Sequence, residues 1–228
     1  MLLGKYLFDV VFIFEWLAFL LSLFNLKSNT PKPMRIFPLV LGFIILGETA
    51  ALLLSSRTHF TGIAYNVLLF FWLPGFMLIF YGMLDSVLLK KWVLGFIAVF
   101  IICGVVNFFF ADHTVWITNR IFILGGVFVA VCSVFSLWEI SNFPDQLILK
   151  SHPMFWISFS MLVYFFPVSI LMVGFEYFKF QDTVIANAYG NTFRSAQVLL
   201  NIIHYSLLSY GFVCGAIFPA KAKNLKFA

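Results

Sequence analysis

Charge is what this sequence has least of. Of its 228 residues only 10% are Asp, Glu, Lys or Arg, against about 25% in an ordinary soluble domain. So sparse a charged surface argues against a soluble globular chain, against disorder and against a coiled coil. The fourteen Lys and Arg are spread along the chain and build no concentrated basic stripe, so nucleic acid is not an expected partner. Cysteine is scarce too. Cys103, Cys132 and Cys214 fall in three different apolar runs, with no CxxC spacing and no histidine close by. Neither a disulfide framework nor a zinc site is indicated, and small residues in helix packing explain all three. No glycine-rich phosphate loop, GxSxG or HExxH occurs. The last apolar run has no lysine for a Schiff base, which removes retinal. No cofactor and no metal are expected.

What is present is apolar. Hydrophobic residues make up 63% of the chain and aromatics 20%, with 32 Phe, and the mean hydropathy is +1.04. A hydrocarbon layer about 30 Å thick takes about 20 apolar residues per helix, and in lipid such runs read as helices because the backbone must satisfy itself. Seven runs fit, at about 6–25, 35–55, 61–84, 92–110, 116–140, 153–175 and 192–218. None alternates as barrel strands would. The expected fold is an all-α integral membrane protein, one seven-helix bundle over residues 1–228 in a multi-pass bacterial inner-membrane arrangement. Pro33 and Pro153 suit first-turn positions of helices two and six. Pro74 and Pro167 lie inside spans and are expected to kink helices three and six. Gly125, Gly126, Gly211 and Gly215 read as sites of close helix approach.

The first run, interrupted by Asp9 and Glu15 and followed by no small-residue cleavage site, reads as a retained span rather than a signal peptide. Connections are short, the longest expected at 176–191, and leave no room for a soluble catalytic domain. With seven spans, one side of the membrane holds Lys27, Lys32, Arg35, Lys90, Lys91, Lys150, Lys221, Lys223 and Lys226. The other holds Lys5, Arg57, Lys179 and Arg194, with Arg120 inside span five. The positive-inside rule then puts the N-terminus outside and the C-terminus in the cytoplasm.

Ionisable and amide groups at depth are the functional candidates. Glu15 is mid-span in helix one and Glu48 in the outer third of helix two. Tyr65 and Asn66 open helix three. Arg120 stands in the first turns of helix five, at a depth where it could pair with Glu48. Asn201, His204 and Tyr205 share a face of helix seven, since i, i+3 and i+4 are neighbours. These eight suggest a polar pocket opening outward, with its floor near mid-membrane. Asn107 and Arg194 are equally explained by snorkelling or capping, Asn201 and His204 by interhelical hydrogen bonding. His59, His113 and His152 read as solvated loop positions. The inner halves are poorer, with Asp85 and Glu139 close to the cytoplasmic surface.

Several local patterns occur together: Phe37-Pro38 with Gly47-Glu48, Ala64-Tyr65-Asn66, the run from His152 through Pro153, Met154, Phe155 and Trp156 to Ile157, Tyr164-Phe165, and Asn201-Ile202-Ile203. Over about residues 33–218 this resembles a group of small bacterial seven-helix membrane proteins. Their relatives look like the membrane-sensor regions beside, or fused to, two-component histidine kinases. The resemblance implies a sensor without catalytic activity, whose motif positions here are Glu48, Tyr65, Asn66, Pro153, Phe155, Trp156, Tyr164 and Asn201. No fused kinase is expected for this chain, so a separate cytoplasmic signalling partner is implied. The basic tail from Lys221 to Lys226 would touch that partner or anionic lipid. A small ligand or lipid would arrive from the outer side. Two alternatives stay open: a small-solute or proton-coupled transporter, and an intramembrane lipid-modifying enzyme in which Glu15 and Glu48 act as acid and base.

Overall fold

The structure, a computed structural model, describes residues 2–26, 31–53, 58–110, 119–142, 152–178 and 183–217, with the side chains at 2–9, 51–53, 58–66, 108, 110 and 215–217 left out. The chain is helical throughout these residues, with no strand among them. Among the described residues seven α-helices follow in order: α1 Leu2–Ser22, α2 Phe37–Leu53, α3 Thr58–Met83, α4 Val87–Phe110, α5 Asn119–Ser141, α6 Pro153–Phe178 and α7 Thr183–Ile217. Two short 3₁₀ turns, Leu23–Leu26 and Lys32–Ile36, lie between α1 and α2. Five stretches among the described residues are long and apolar enough to cross a membrane: Lys32–Ala50, Val87–Asn107, Asn119–Ser141, Pro153–Phe178 and Thr183–Cys214. Two shorter apolar stretches, Val10–Leu26 and Val67–Met83, accompany them. This is a helical, multi-pass type of chain.

The helix packing closes a ring. Around it α1 touches α2, α2 touches α3, α3 touches α5, α5 touches α6, α6 touches α7, and α7 returns to α1. Helix α4 packs only against α3 and α5 among these principal contacts, and it is the least buried of the five long apolar stretches. It rides outside the ring. Stacking of Phe96 on Phe128, with ring centroids 4.7 Å apart, holds it there. At its start, the Glu139 carboxylate of α5 accepts hydrogen bonds from the Asp85 and Ser86 backbone N–H groups, both at 2.9 Å. Those N–H groups belong to a helix N-terminus, where a carboxylate is favoured. Burial, followed by the nearby Glu139 charge, raises the Asp85 carboxyl above its ordinary value, with Lys90 opposing.

The glycines act as spacers. A Cβ on Gly125 would meet Leu73 at 2.6 Å and Phe100 at 2.7 Å, and one on Gly126 would meet Ser169 Oγ at 2.7 Å and Phe165 at 3.3 Å. One on Gly211 would meet Ile157 at 2.9 Å and the Pro153 carbonyl at 3.3 Å. Close helix approach is therefore their role, as expected for α5 and α7. Gly126→Leu should destabilise the bundle by about 1–3 kcal/mol, the usual cost of overpacking. Unfolding in mild detergent reads this, and an unchanged midpoint would mean α5 and α6 can separate at no cost.

Three expectations change. Residues 176–191 are not a long loop: α6 continues to Phe178 and α7 begins at Thr183. The two helices form an extended hairpin in which Tyr189 Oη donates to the Leu171 carbonyl at 3.0 Å and the Phe178 and Tyr189 rings lie 4.7 Å apart. At 35 residues, α7 is about 52 Å long, well beyond the hydrocarbon thickness of about 30 Å. Pro33 lies in the 3₁₀ turn before α2 rather than in the helix itself, whereas Pro153 does open α6. His152 is half-buried rather than solvated, and burial lowers its imidazole below the ordinary histidine value of 6.5. The unfolded chain then binds the extra proton, so stability should fall as pH drops through that value. Melting from about pH 7.5 to about pH 5.5 should show a smaller loss for His152→Gln than for the wild type.

Candidate functional site

Inside the ring lies a cavity of about 160 Å³, far more than the roughly 10–15 Å³ that one water needs. Each neighbouring helix contributes to it for a local reason. Helix α1 brings Glu15, only 6% exposed, through the face that carries Val11, Glu15 and Ala18 inward at helical spacing. Helix α2 brings Glu48 beside Gly47. Gly47 has no Cβ because Leu68 of α3 occupies that space, which lets α2 approach closely and sets the Glu48 carboxylate against α1. Glu15 and Glu48 line the same cavity. Tyr205 of α7 donates its hydroxyl hydrogen to Glu15.

Helix α7 supplies a polar stripe of Gln197, Asn201, His204 and Tyr205. The spacing i, i+4, i+7 and i+8 keeps all four on one face. On α6, the Tyr164 hydroxyl hydrogen-bonds with the Gln197 and Asn201 amides, and its ring stacks on His204 with centroids 4.7 Å apart.

His204 is fixed by Ser160 one turn below Tyr164. Ser160 Oγ donates to the His204 carbonyl at 2.7 Å, which uses its single hydrogen. His204 Nδ1, 2.8 Å from Ser160 Oγ and 3.2 Å from the Ser160 carbonyl, must then be the donor to those oxygens. Nδ1 carries the proton, and Nε2 is the acceptor of the ring. His204 is thus both interhelical glue and a cavity wall.

The remaining wall is aromatic. Trp72 and Phe76 of α3, Phe122 of α5 and Phe165 of α6 line the cavity and touch one another, with Trp72 centred 5.9 Å from Phe76, and 6.0 Å from both Phe122 and Phe165. Ile44, Leu69 and Met172 complete it. The cavity lies toward the end of the bundle where α2 finishes and α3, α5 and α7 begin.

Of the eight candidates from the sequence, Glu15, Glu48, Asn201, His204 and Tyr205 come together here. Arg120 does not line the cavity: it is exposed in the first turn of α5, while its neighbours Ile121 and Phe122 turn inward. Tyr65 and Asn66 lie on α3, but their side chains fall outside the described residues, as do His59, His113 and the basic tail. Sequence reasoning missed Gln197 and Trp72 as site residues, and named Tyr164 only as a motif position of the resemblance. Gln197 was findable as the next polar position, four residues before Asn201 on the same stripe. Among the described residues no three His, Cys, Asp or Glu side chains gather as a metal site.

Comparison of the chain with protein-family models, with curated proteins and with solved structures finds no match in any of the three.

Proposed function

We propose that the chain is a seven-span sensor of the bacterial inner membrane, N-terminus outside and C-terminus cytoplasmic, that binds a small ligand from the outer side and relays the event to a separate cytoplasmic partner such as a histidine kinase. The observation that carries this reading is the convergence of polar side chains from α1, α2, α6 and α7 on one cavity within an otherwise apolar ring. Polar groups at such depth are expensive in a membrane and mark binding or transfer sites. The excess of Lys and Arg on the side of the first, third and fifth connections supports the orientation.

A relay needs two helix arrangements that the ligand binds with different affinity. Two of the lining helices carry an interior proline next to the cavity: Pro74 lies between Trp72 and Phe76 in α3, and Pro167 follows Phe165 in α6. Each removes a backbone hydrogen bond and gives its helix a weak point. A ligand pressing on Trp72 or Phe165 would act at those points and shift the cytoplasmic ends of both helices.

Crosslinking in the native host, followed by purification in mild detergent and mass spectrometry, tests this reading. Reproducible recovery of a histidine kinase or another cytoplasmic signalling protein is expected. Recovery of the chain alone, as monomer or homo-oligomer, would contradict the relay. The presence of Glu15 and Glu48 in one cavity favours one second reading, proton-coupled transport of a small solute. Solute accumulation in proteoliposomes driven by a proton gradient would establish that reading in its place.

A further inference from the structure

The cavity's walls differ in chemistry, and the difference specifies what fits between them. One side, from α1 and α2, offers the carboxylates of Glu15 and Glu48. The other, from α3, α5 and α6, is a continuous aromatic surface built on Trp72 and Phe165. Amide groups of Gln197 and Asn201 on α7 join the two. An anion would face two acidic side chains in a lining with no Lys or Arg among the described residues. A neutral apolar guest would suit the aromatic wall but make no use of the acidic side, where Tyr205 bonds Glu15 and Tyr164 bonds the Gln197 and Asn201 amides. A hard metal cation wants six or more oxygen ligands around it, and seven of the sixteen lining residues present rings. A cation with an apolar body satisfies both sides, since ammonium groups pair with carboxylates and are attracted to the faces of Trp, Tyr and Phe.

Building on the ligand-sensing reading above, we propose that the cavity selects a small organic cation, an amine with the bulk of about one six-membered ring, held between the Glu15 and Glu48 carboxylates and the Trp72–Phe165 wall. The size follows from the volume of about 160 Å³, since a cavity of about 150 Å³ takes one benzene. The ammonium group sits at the acidic side, where the Tyr205 hydroxyl holds Glu15 in place. The body of the amine lies against Trp72, with Tyr164 and His204 stacked beside it.

Three probes of one ring size and different charge decide the matter: cyclohexylammonium, cyclohexanol and cyclohexanecarboxylate, titrated calorimetrically into the purified chain in lipid nanodiscs near neutral pH. Cyclohexylammonium should bind at least about tenfold more tightly than cyclohexanol, and the carboxylate should show no saturable binding. Glu15→Gln should weaken the ammonium by about tenfold and leave cyclohexanol unchanged. Trp72→Leu should weaken both. Cyclohexanol binding as tightly as the ammonium, or tight binding of the carboxylate, would overturn the cation selectivity while leaving the cavity a ligand site. No binding by any of the three would overturn the ligand-sensing reading as well. The wild-type series is decisive by itself should a variant fail to fold.

Discussion

Glu15→Gln should leave the bundle at least as stable as the wild type while weakening its response to the ligand by about tenfold or more. The two halves of this expectation come from one contact. Glu15 is buried on α1 and lines the cavity together with Glu48 of α2. Its carboxylate accepts a hydrogen bond from Tyr205, and the glutamine carbonyl can accept the same bond. The substitution therefore keeps the polar contact, removes the cost of burying an ionisable group and removes the acid offered to the ligand. A residue kept only to hold helices together would behave differently. Its loss would lower stability by about 1–3 kcal/mol, the cost of disturbing a buried hydrogen-bonded group. Unfolding in mild detergent and a ligand-dependent reporter, measured on the same variant, separate the cases. Lower stability with an intact response would make Glu15 a structural residue.

Phe165→Ala should cost about 3 kcal/mol, toward the lower end for a buried phenylalanine. Phe165 is fully buried. Its ring is centred 6.0 Å from Trp72, 6.1 Å from Phe76 and 6.4 Å from Phe122, and it also meets His204 at 6.2 Å. In a bilayer the loss is one of packing contacts rather than of transfer from water, because lipid tails are as apolar as the core. The space left behind would join the existing cavity, so its aromatic wall would open as well. The neighbouring Phe166 provides the control. It is 58% exposed on the outer face of α6, where lipid can refill the space, and Phe166→Ala should change stability by no more than about 0.5 kcal/mol. Equal costs at the two positions would mean that the ring around the cavity is not tightly packed.

The helices were legible because a membrane demands long apolar runs, and six of the seven stand close to where those runs lie. The exception is instructive. Residues 183–191, Thr-Val-Ile-Ala-Asn-Ala-Tyr-Gly-Asn, are too polar to read as a span, and they are helical because Tyr189 docks on α6 at Leu171 and Gly174. Hydropathy cannot register a helix made by one tertiary contact. The polar stripe of α7 was legible from its period alone. The partners of that stripe were not, because depth along a helix says nothing about rotation about its axis. Arg120 shows the difference: its depth suited Glu48, but one residue is a turn of 100°, and the inward face of α5 belongs to Ile121, Phe122, Gly125 and Gly126. Trp72 escaped notice, and Tyr164 was singled out only as a motif position, for a related reason. In a chain that is 20% aromatic, nothing local marks the rings that face a cavity, and only the order of helices around the ring brings them to Glu15 and Glu48.

The central claim is that this cavity is a polar site reached from the outer side of the membrane. A single cysteine at Asn201, in a chain whose Cys103, Cys132 and Cys214 are replaced by alanine, tests it most directly. Intact cells are treated from outside with a small, membrane-impermeant cationic methanethiosulfonate, and modification is read by mass spectrometry. The account predicts that Asn201→Cys is modified from outside and is protected by cyclohexylammonium, while Val134→Cys on the lipid-facing side of α5 is not modified. Modification of Asn201→Cys only after the cytoplasmic face is opened, or no modification from either side, would contradict it.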